Sequence, residues 1–232
     1  MATHISMATQ CIYCGISEGR TRDHIPPKNL FPKPRPANLV TVPCCQTCRR
    51  GQSLDDEYFT RMVTMRRDVA EHPAAAQVLE AVHRSFTKPK KRRFIQALLQ
   101  SVHDVEILSP AGLYLGSGPS YQVDLDRLCR VIKRTTLGLY FKEFGVRLPN
   151  SHGCQVYAMD GFSRSDPSLN ANLTRIIEQA VRGKSRVFGE KVFTYWVQQV
   201  DDATVWLHLV YSRVAFLAFT LRSTDLAAGA SR

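Results

Sequence analysis

Between residues 54 and 102 apolar side chains recur at helical spacing. Leu54, Tyr58, Met62, Met65 and Val69 fall on one face. Pro73 opens a second helix that turns Val78, Leu79, Val82 and Phe86 inward. Pro89 precedes a third, with Phe94, Ile95, Leu98, Leu99 and Val102 on its apolar side. The pattern then changes. Residues 106–115 read as a strand and GSGPS at 116–120 as a turn. A long helix is predicted over 124–145, with Leu125, Leu128, Cys129, Ile132 and Leu139 inward. Asp166 and Pro167 form an N-cap and first helical position, Leu169, Leu173, Ile176, Ile177 and Ala180 supply the apolar face, and Gly183 ends the helix. Residues 187–200, 204–211 and 213–221 read as β, with Val205, Leu207, Leu209 and Tyr211 alternating against Trp206, His208 and Val210, and with Asp201-Asp202 as a turn. The tail STDLAAGASR is expected to be disordered.

Residues 11–50 carry no such periodicity, and here composition changes the picture. Five of the seven cysteines, Cys11, Cys14, Cys44, Cys45 and Cys48, lie in this stretch, with PP at 26–27 and FPKPRP at 31–36. The segment reads as a loop-rich module held by metal rather than by a core. CIYC (11–14) and CQTC (45–48) are two C-x-x-C pairs, and a tetrahedral zinc ion takes four such thiolates. Cys11, Cys14, Cys45 and Cys48 are the candidate ligands of a structural Zn²⁺; free thiols or a redox pair are the alternative. Cys44 fits only by breaking the spacing. Cys129 and Cys154 have no second cysteine at ligand spacing and read as buried thiols.

The chain has 232 residues, 44% of them hydrophobic, enough to bury a core. Lys plus Arg number 31 against 20 Asp plus Glu, a net charge of +11 that favours a polyanionic partner. No apolar run is long enough to span a membrane, and MATHISMATQ has no signal-peptide core. An intracellular, cytoplasmic setting is therefore expected, where paired cysteines bind metal more readily than they form disulfides.

Between the two pairs lie DHI (23–25), Asn38 and the apolar run LVTV, and the second pair opens a helix. Over residues 11–59 this combination resembles the HNH (ββα-metal) endonuclease family in its zinc-bearing treble-clef form. The resemblance implies an endonuclease that hydrolyses nucleic-acid phosphodiester bonds, DNA foremost, with a role in bacterial defence against phage. It implies that Asp23 holds a catalytic Mg²⁺ or other divalent ion, that His24 is the general base, and that Asn38 hydrogen-bonds the loop carrying the histidine. The chemistry is independent of the family: a neutral histidine can take a proton from water, and a cation can neutralise the crowded phosphate. Neighbouring strand residues point to opposite sides, so aiming both Asp23 and His24 at one site needs a strand end or a bulge.

One residue departs from the family. Just after the last knuckle cysteine the family places an Asn or His ligand; here stands Arg49, which has no lone pair to give. Three alternatives follow. The ion is held by Asp23, water and substrate; or Asp55 or Asp56 substitutes; or the site is inactive and Arg49 grips phosphate directly. Ser53 and Asp56 also have capping-box spacing, which would make Asp55, Asp56 and Glu57 first-turn acids. Arg49, Arg50 and Lys28 are the candidate phosphate-binding residues, with Lys33 and Arg35 on the same loop as Lys28. KPKKRR (88–93) is either a phosphate-binding run or a solvated one. The other histidines read as surface or core residues.

The expected architecture is α+β. A zinc-stapled ββα-metal module (1–60) is followed by a helical segment (61–105) and a C-terminal domain of helix plus antiparallel β-meander (106–222), with residues 223–232 as a tail. The C-terminal domain would be the surface for a protein partner or a second copy of the chain. Two rivals to the nuclease stand beside it: a decayed nuclease that only binds nucleic acid, and a zinc-stapled regulatory scaffold.

Overall fold

A computed structural model describes residues 10–109, 111–159 and 167–224, and the side chains of 167–172 are outside that description. The fold is mixed α/β, with five α-helices and antiparallel sheets among the described residues. The chain divides into two units. One comprises the residues up to Val78 and from Leu125 onward; the other is Leu79–Asp124. The expected boundary near 105 is replaced by this division, because the cysteine module packs with the C-terminal sheet in one unit.

In the first unit, strands β1 (Thr21–Ile25) and β2 (Val40–Cys44) form an antiparallel hairpin, and helix α1 (Gln46–Thr64) follows at once. Cys45 is the N-cap of α1, its Sγ accepting the Cys48 N–H at 3.4 Å. The helix therefore starts well before Ser53, and Asp55 and Asp56 sit in its interior rather than in a first turn. The expected capping box is not formed. Phe59, Met62 and Val63 are buried, but Leu54 is 66% exposed; the helix ends at Thr64, and Val69 lies in a separate short 3-10 turn. The inward stripe is thus shorter than the periodicity suggests.

Helix α2 (Pro73–Phe86) begins at the expected proline. Helix α4 (Leu125–Phe144) covers the predicted long helix, with Leu128, Val131, Ile132 and Leu139 buried and Leu125 exposed. Strand β5 (His152–Ala158), which the apolar pattern did not announce, pairs with β9 (Val214–Arg222). The five-stranded sheet has the order β5-β9-β8-β7-β6, with β6 (Lys184–Phe188), β7 (Phe193–Val200), β8 (Ala203–Val210) and β9 forming the meander. The single predicted β run over 187–200 is a hairpin. Gly189, Glu190 and Lys191 turn it through three consecutive positive φ values of 52°, 50° and 66°. Asp201, at φ 54°, makes the turn predicted between β7 and β8.

Helix α5 (Pro167–Val181) covers one sheet face, where Ala180, Leu173, Ile176 and Ile177 pack on Leu207 and Leu217. Asp166 lies outside the described residues, as does the tail from 225. The opposite face of the sheet carries Trp206, His208, Phe193, Tyr195 and Phe216, all buried. It is covered by α4 and the cysteine module. The Phe59 and Phe216 rings lie 5.8 Å apart, and the Tyr211 hydroxyl donates to the Leu30 carbonyl at 2.6 Å. Two glycines allow the close approach. A Cβ on Gly138 of α4 would lie 2.6 Å from Ile25 of β1, and one on Gly189 would lie 2.8 Å from Phe31 and Pro36.

The second unit contains the end of α2, helix α3 (Arg92–Gln100) and the hairpin β3 (His103–Leu108) with β4 (Tyr114–Ser120). GSGPS lies within β4 rather than in a turn; the turn is formed by the residues before Tyr114. Leu99 and Val102, expected inward, are exposed.

Candidate metal centre and the histidine face

The sulfurs of Cys11, Cys14, Cys45 and Cys48 lie within 4.8 Å of one another, with Cys14 and Cys45 at 3.9 Å. Thiolates about 2.3 Å from a central tetrahedral ion stand close to that separation, so the four could hold a metal such as zinc. Local structure builds each half. The first knuckle is a tight turn in which Gly15 N–H donates to Cys11 O at 2.9 Å and Cys11 N–H to Ser17 O at 2.8 Å. The N–H groups of Ser17 and Ile16 lower the Cys14 thiol to about 6, and the Cys48 N–H lowers Cys45 in the same way. Burial raises the Cys48 thiol, and Cys44 beside the site is raised as well. Burial pushes its thiol up to about 12, and its Sγ donates to the Cys45 carbonyl at 3.3 Å. The group of four converging sulfurs does not include it.

The hairpin register is regular: Asp23 opposes Val42 and His24 opposes Thr41. No bulge intervenes, so Asp23 and Ile25 share the face toward α4 while Arg22, His24 and Thr41 share the other. This corrects the expectation that strand geometry aims Asp23 and His24 at one point. On the α4 face, Asp23 Oδ2 accepts the Tyr13 hydroxyl at 2.6 Å and pairs with Arg134 Nε at 3.2 Å. The side chains are 12% and 8% exposed. Arg134 also pairs with Asp56. Burial alone would lower the Arg134 pKa, but Asp56 and then Asp23 outweigh it and keep the guanidinium charged. Tyr13 is pushed above its ordinary range, first by burial and then by Asp23.

Asp55 is engaged as well, accepting Arg127 Nε at 2.7 Å and Arg130 Nε at 3.1 Å. Burial works against its ionisation, but these two hydrogen bonds hold its carboxyl below the usual range. Asp55 and Asp56 thus clamp α1 to α4. Asp56 converges with Asp23, but both carboxylates meet on the Arg134 guanidinium. The only group of three or more metal-ligating side chains among the described residues is the four-cysteine set. A dedicated divalent-ion cage at Asp23 does not fit these residues, because its carboxylate is shared with Tyr13 and Arg134 and Arg49 contributes no donor.

His24 is half-buried on the other face. Burial first, and then the charges of Lys28, Arg35 and Arg49, hold its pKa below the ordinary value, against the opposing effect of Asp23. These influences favour the uncharged imidazole. The Arg35 guanidinium donates to the Lys28 carbonyl at 3.1 Å, which fixes the loop beside it. Arg49 and Arg50 are exposed in the first turns of α1. Asn38 does not make the expected bond to the histidine loop. It is exposed in the turn before β2 and lines a cavity instead. KPKKRR forms an exposed 3-10 turn leading into α3, in the second unit.

Sequence reasoning missed Arg134, Tyr13, Arg22, Lys142 and Arg186. One signal was available: Arg127, Arg130 and Arg134 recur at i, i+3 and i+7 on α4, a cationic stripe beside its apolar face. No family model, no curated protein and no solved structure matches the chain. No described helix is long and apolar enough to cross a membrane.

Proposed function

We propose that the chain is an HNH-like endonuclease acting on nucleic acid, DNA foremost, with a structural zinc ion at Cys11, Cys14, Cys45 and Cys48. The observation that carries this reading is His24 on the outer face of the hairpin, its pKa held down by burial and by the charges of Lys28, Arg35 and Arg49, in a module that also carries the four-thiol site. The cations draw a phosphodiester to the histidine and offset the charge that builds on its oxygens. His24 takes a proton from the attacking water, a new P–O bond forms, and the strand's P–O bond breaks with the leaving oxygen protonated from solvent. Asp23 is read as a positioning residue that ties the hairpin to α4 through Arg134. A second reading, nucleic-acid binding without hydrolysis, is favoured by one observation: the carboxylate expected to hold the catalytic ion is already paired with Arg134.

Supercoiled plasmid incubated with Mg²⁺, Mn²⁺ or Ni²⁺ tests the two readings. Cleavage that falls by about 10²–10⁴-fold in His24→Ala supports the nuclease. Plasmid retarded in a gel in a salt-dependent way, yet uncut with every ion, moves the conclusion to the binding protein.

A further inference from the structure

A cavity of about 530 Å³ opens beside the hairpin, lined by Arg22, Asn38, Thr41, Lys142, Arg186 and Phe188 among others. That volume is in the range that takes a nucleotide. Its position follows from the register. Arg22 is two residues before His24 and shares its face, and Thr41 is the cross-strand partner of His24. Arg22 reaches Thr41 through Nε to Oγ1 at 3.2 Å. Through Thr41 the cavity's lining reaches the cross-strand partner of His24, and through Lys142 and Arg186 it extends to α4 and β6.

The lining is cationic and contains no Asp or Glu. Arg22 is held by Thr41 rather than by a carboxylate. Lys142, exposed in the last turn of α4, has no carboxylate partner among the described residues. Arg186 of β6 pairs with Glu143 at 2.9 Å, but Lys184 pairs with the same carboxylate, so two cations share one anion. Three cations from three separate elements thus converge on one space with an unbalanced positive charge. The occupant this favours is an anion, and because Arg22 and Thr41 neighbour His24 on the hairpin, a strand held at the histidine is the anion within reach.

We propose that this groove binds a backbone phosphate of the strand held at His24, a nucleotide or more away from that position. The proposal rests on the reading that nucleic acid binds at His24. It assigns the C-terminal sheet and α4 a direct part in holding substrate, through Lys142 and Arg186.

Fluorescence anisotropy on the full chain tests it, with a labelled single strand of about 16 nucleotides, a labelled dinucleotide, and ATP as a free-phosphate competitor. Lys142→Glu is expected to weaken the long strand by about five- to tenfold at low salt and to reduce the salt slope by about one. Dinucleotide binding stays unchanged, and Lys142→Gln gives a smaller loss in the same direction with an unaltered melting curve. Full affinity of Lys142→Glu for the long strand, with plasmid cleavage intact in the parent, would overturn the groove and leave the nuclease reading standing. Weakened binding by Lys142→Glu in a parent that never cleaves leaves the groove standing and removes the hydrolysis. Loss of ATP binding with unchanged strand affinity would make the groove a small-molecule site and overturn the proposal. A parent with no affinity for any strand removes both.

Discussion

Asp23 and His24 are adjacent in the chain and live in different environments. Asp23 is nearly buried, bonded by Tyr13 and paired with an arginine delivered from a helix more than a hundred residues away. His24 faces outward under the influence of three cations, and its neighbours Arg22 and Thr41 line a groove open to solvent. The two faces of one hairpin differ accordingly: one anchors the cysteine module to α4, and the other is the face on which the proposed chemistry would take place. Strand alternation makes that division automatic once the register is regular. It also explains why residues paired by sequence resemblance end on opposite sides.

The largest effect is expected from the feature that both faces depend on. Cys48→Ser removes a thiolate from the four-sulfur site, and structural zinc in such sites contributes about 10 kcal/mol or more to folding. Metal analysis should find one zinc per wild-type chain and less in the variant. The variant's near-ultraviolet circular dichroism should show the module disordered. A metal-free wild type with an unchanged spectrum would rule out the staple.

The anchoring face can be broken by itself. Arg134→Leu leaves Asp23 and Asp56 as buried carboxylates without their cation, which costs about 3–5 kcal/mol. Urea unfolding measures this, and a cycle with Asp23→Asn should show the two positions coupled by about 1–3 kcal/mol. A stable Arg134→Leu protein that cleaves faster would mean instead that the arginine competes with an ion for Asp23.

A smaller effect separates His24 from His208 in the core. His208 is fully buried, and burial lowers its pKa to about 3. The Thr136 hydroxyl donates to the Ile132 carbonyl, so the contact at 2.9 Å assigns the hydrogen to His208 Nε2 and leaves Nδ1 a bare lone pair. A depressed folded pKa means that stability is complete above the unfolded value near 6.5 and is lost as pH falls toward 3. Between pH 6.5 and pH 5 this group removes about 2 kcal/mol. Denaturant titrations at pH 7 and pH 5 should show that loss in the wild type and a smaller one in His208→Gln. Equal losses in the two proteins would place the acid sensitivity elsewhere.

Much of the fold was legible in the sequence, for identifiable reasons. Pro73 and Pro167 mark helix starts because proline suits the first turn, and Asp201-Asp202 marks a hairpin turn. The spacing of CIYC and CQTC brought four sulfurs together as expected. The failures share a cause. Strand β5 depends on pairing with β9, which is distant in sequence; the turn at Gly189–Lys191 exists because β6 pairs with β7, and GSGPS becomes a strand because β3 supplies its partner.

The candidate site divides along the same line. Local sequence determined the four-thiol cluster, the antiparallel hairpin beneath His24 and the helix opened by the second knuckle, because ligand spacing and short-range hydrogen bonds act over a few residues. Tertiary structure alone decided that Asp23 faces Arg134, that Asp55 and Asp56 clamp two helices rather than cap one, and that Lys142 and Arg186 border the space beside His24. Those outcomes depend on which charges meet when α4 and the sheet close over the hairpin. Coulomb pairing between residues about a hundred positions apart leaves no periodic trace in the chain.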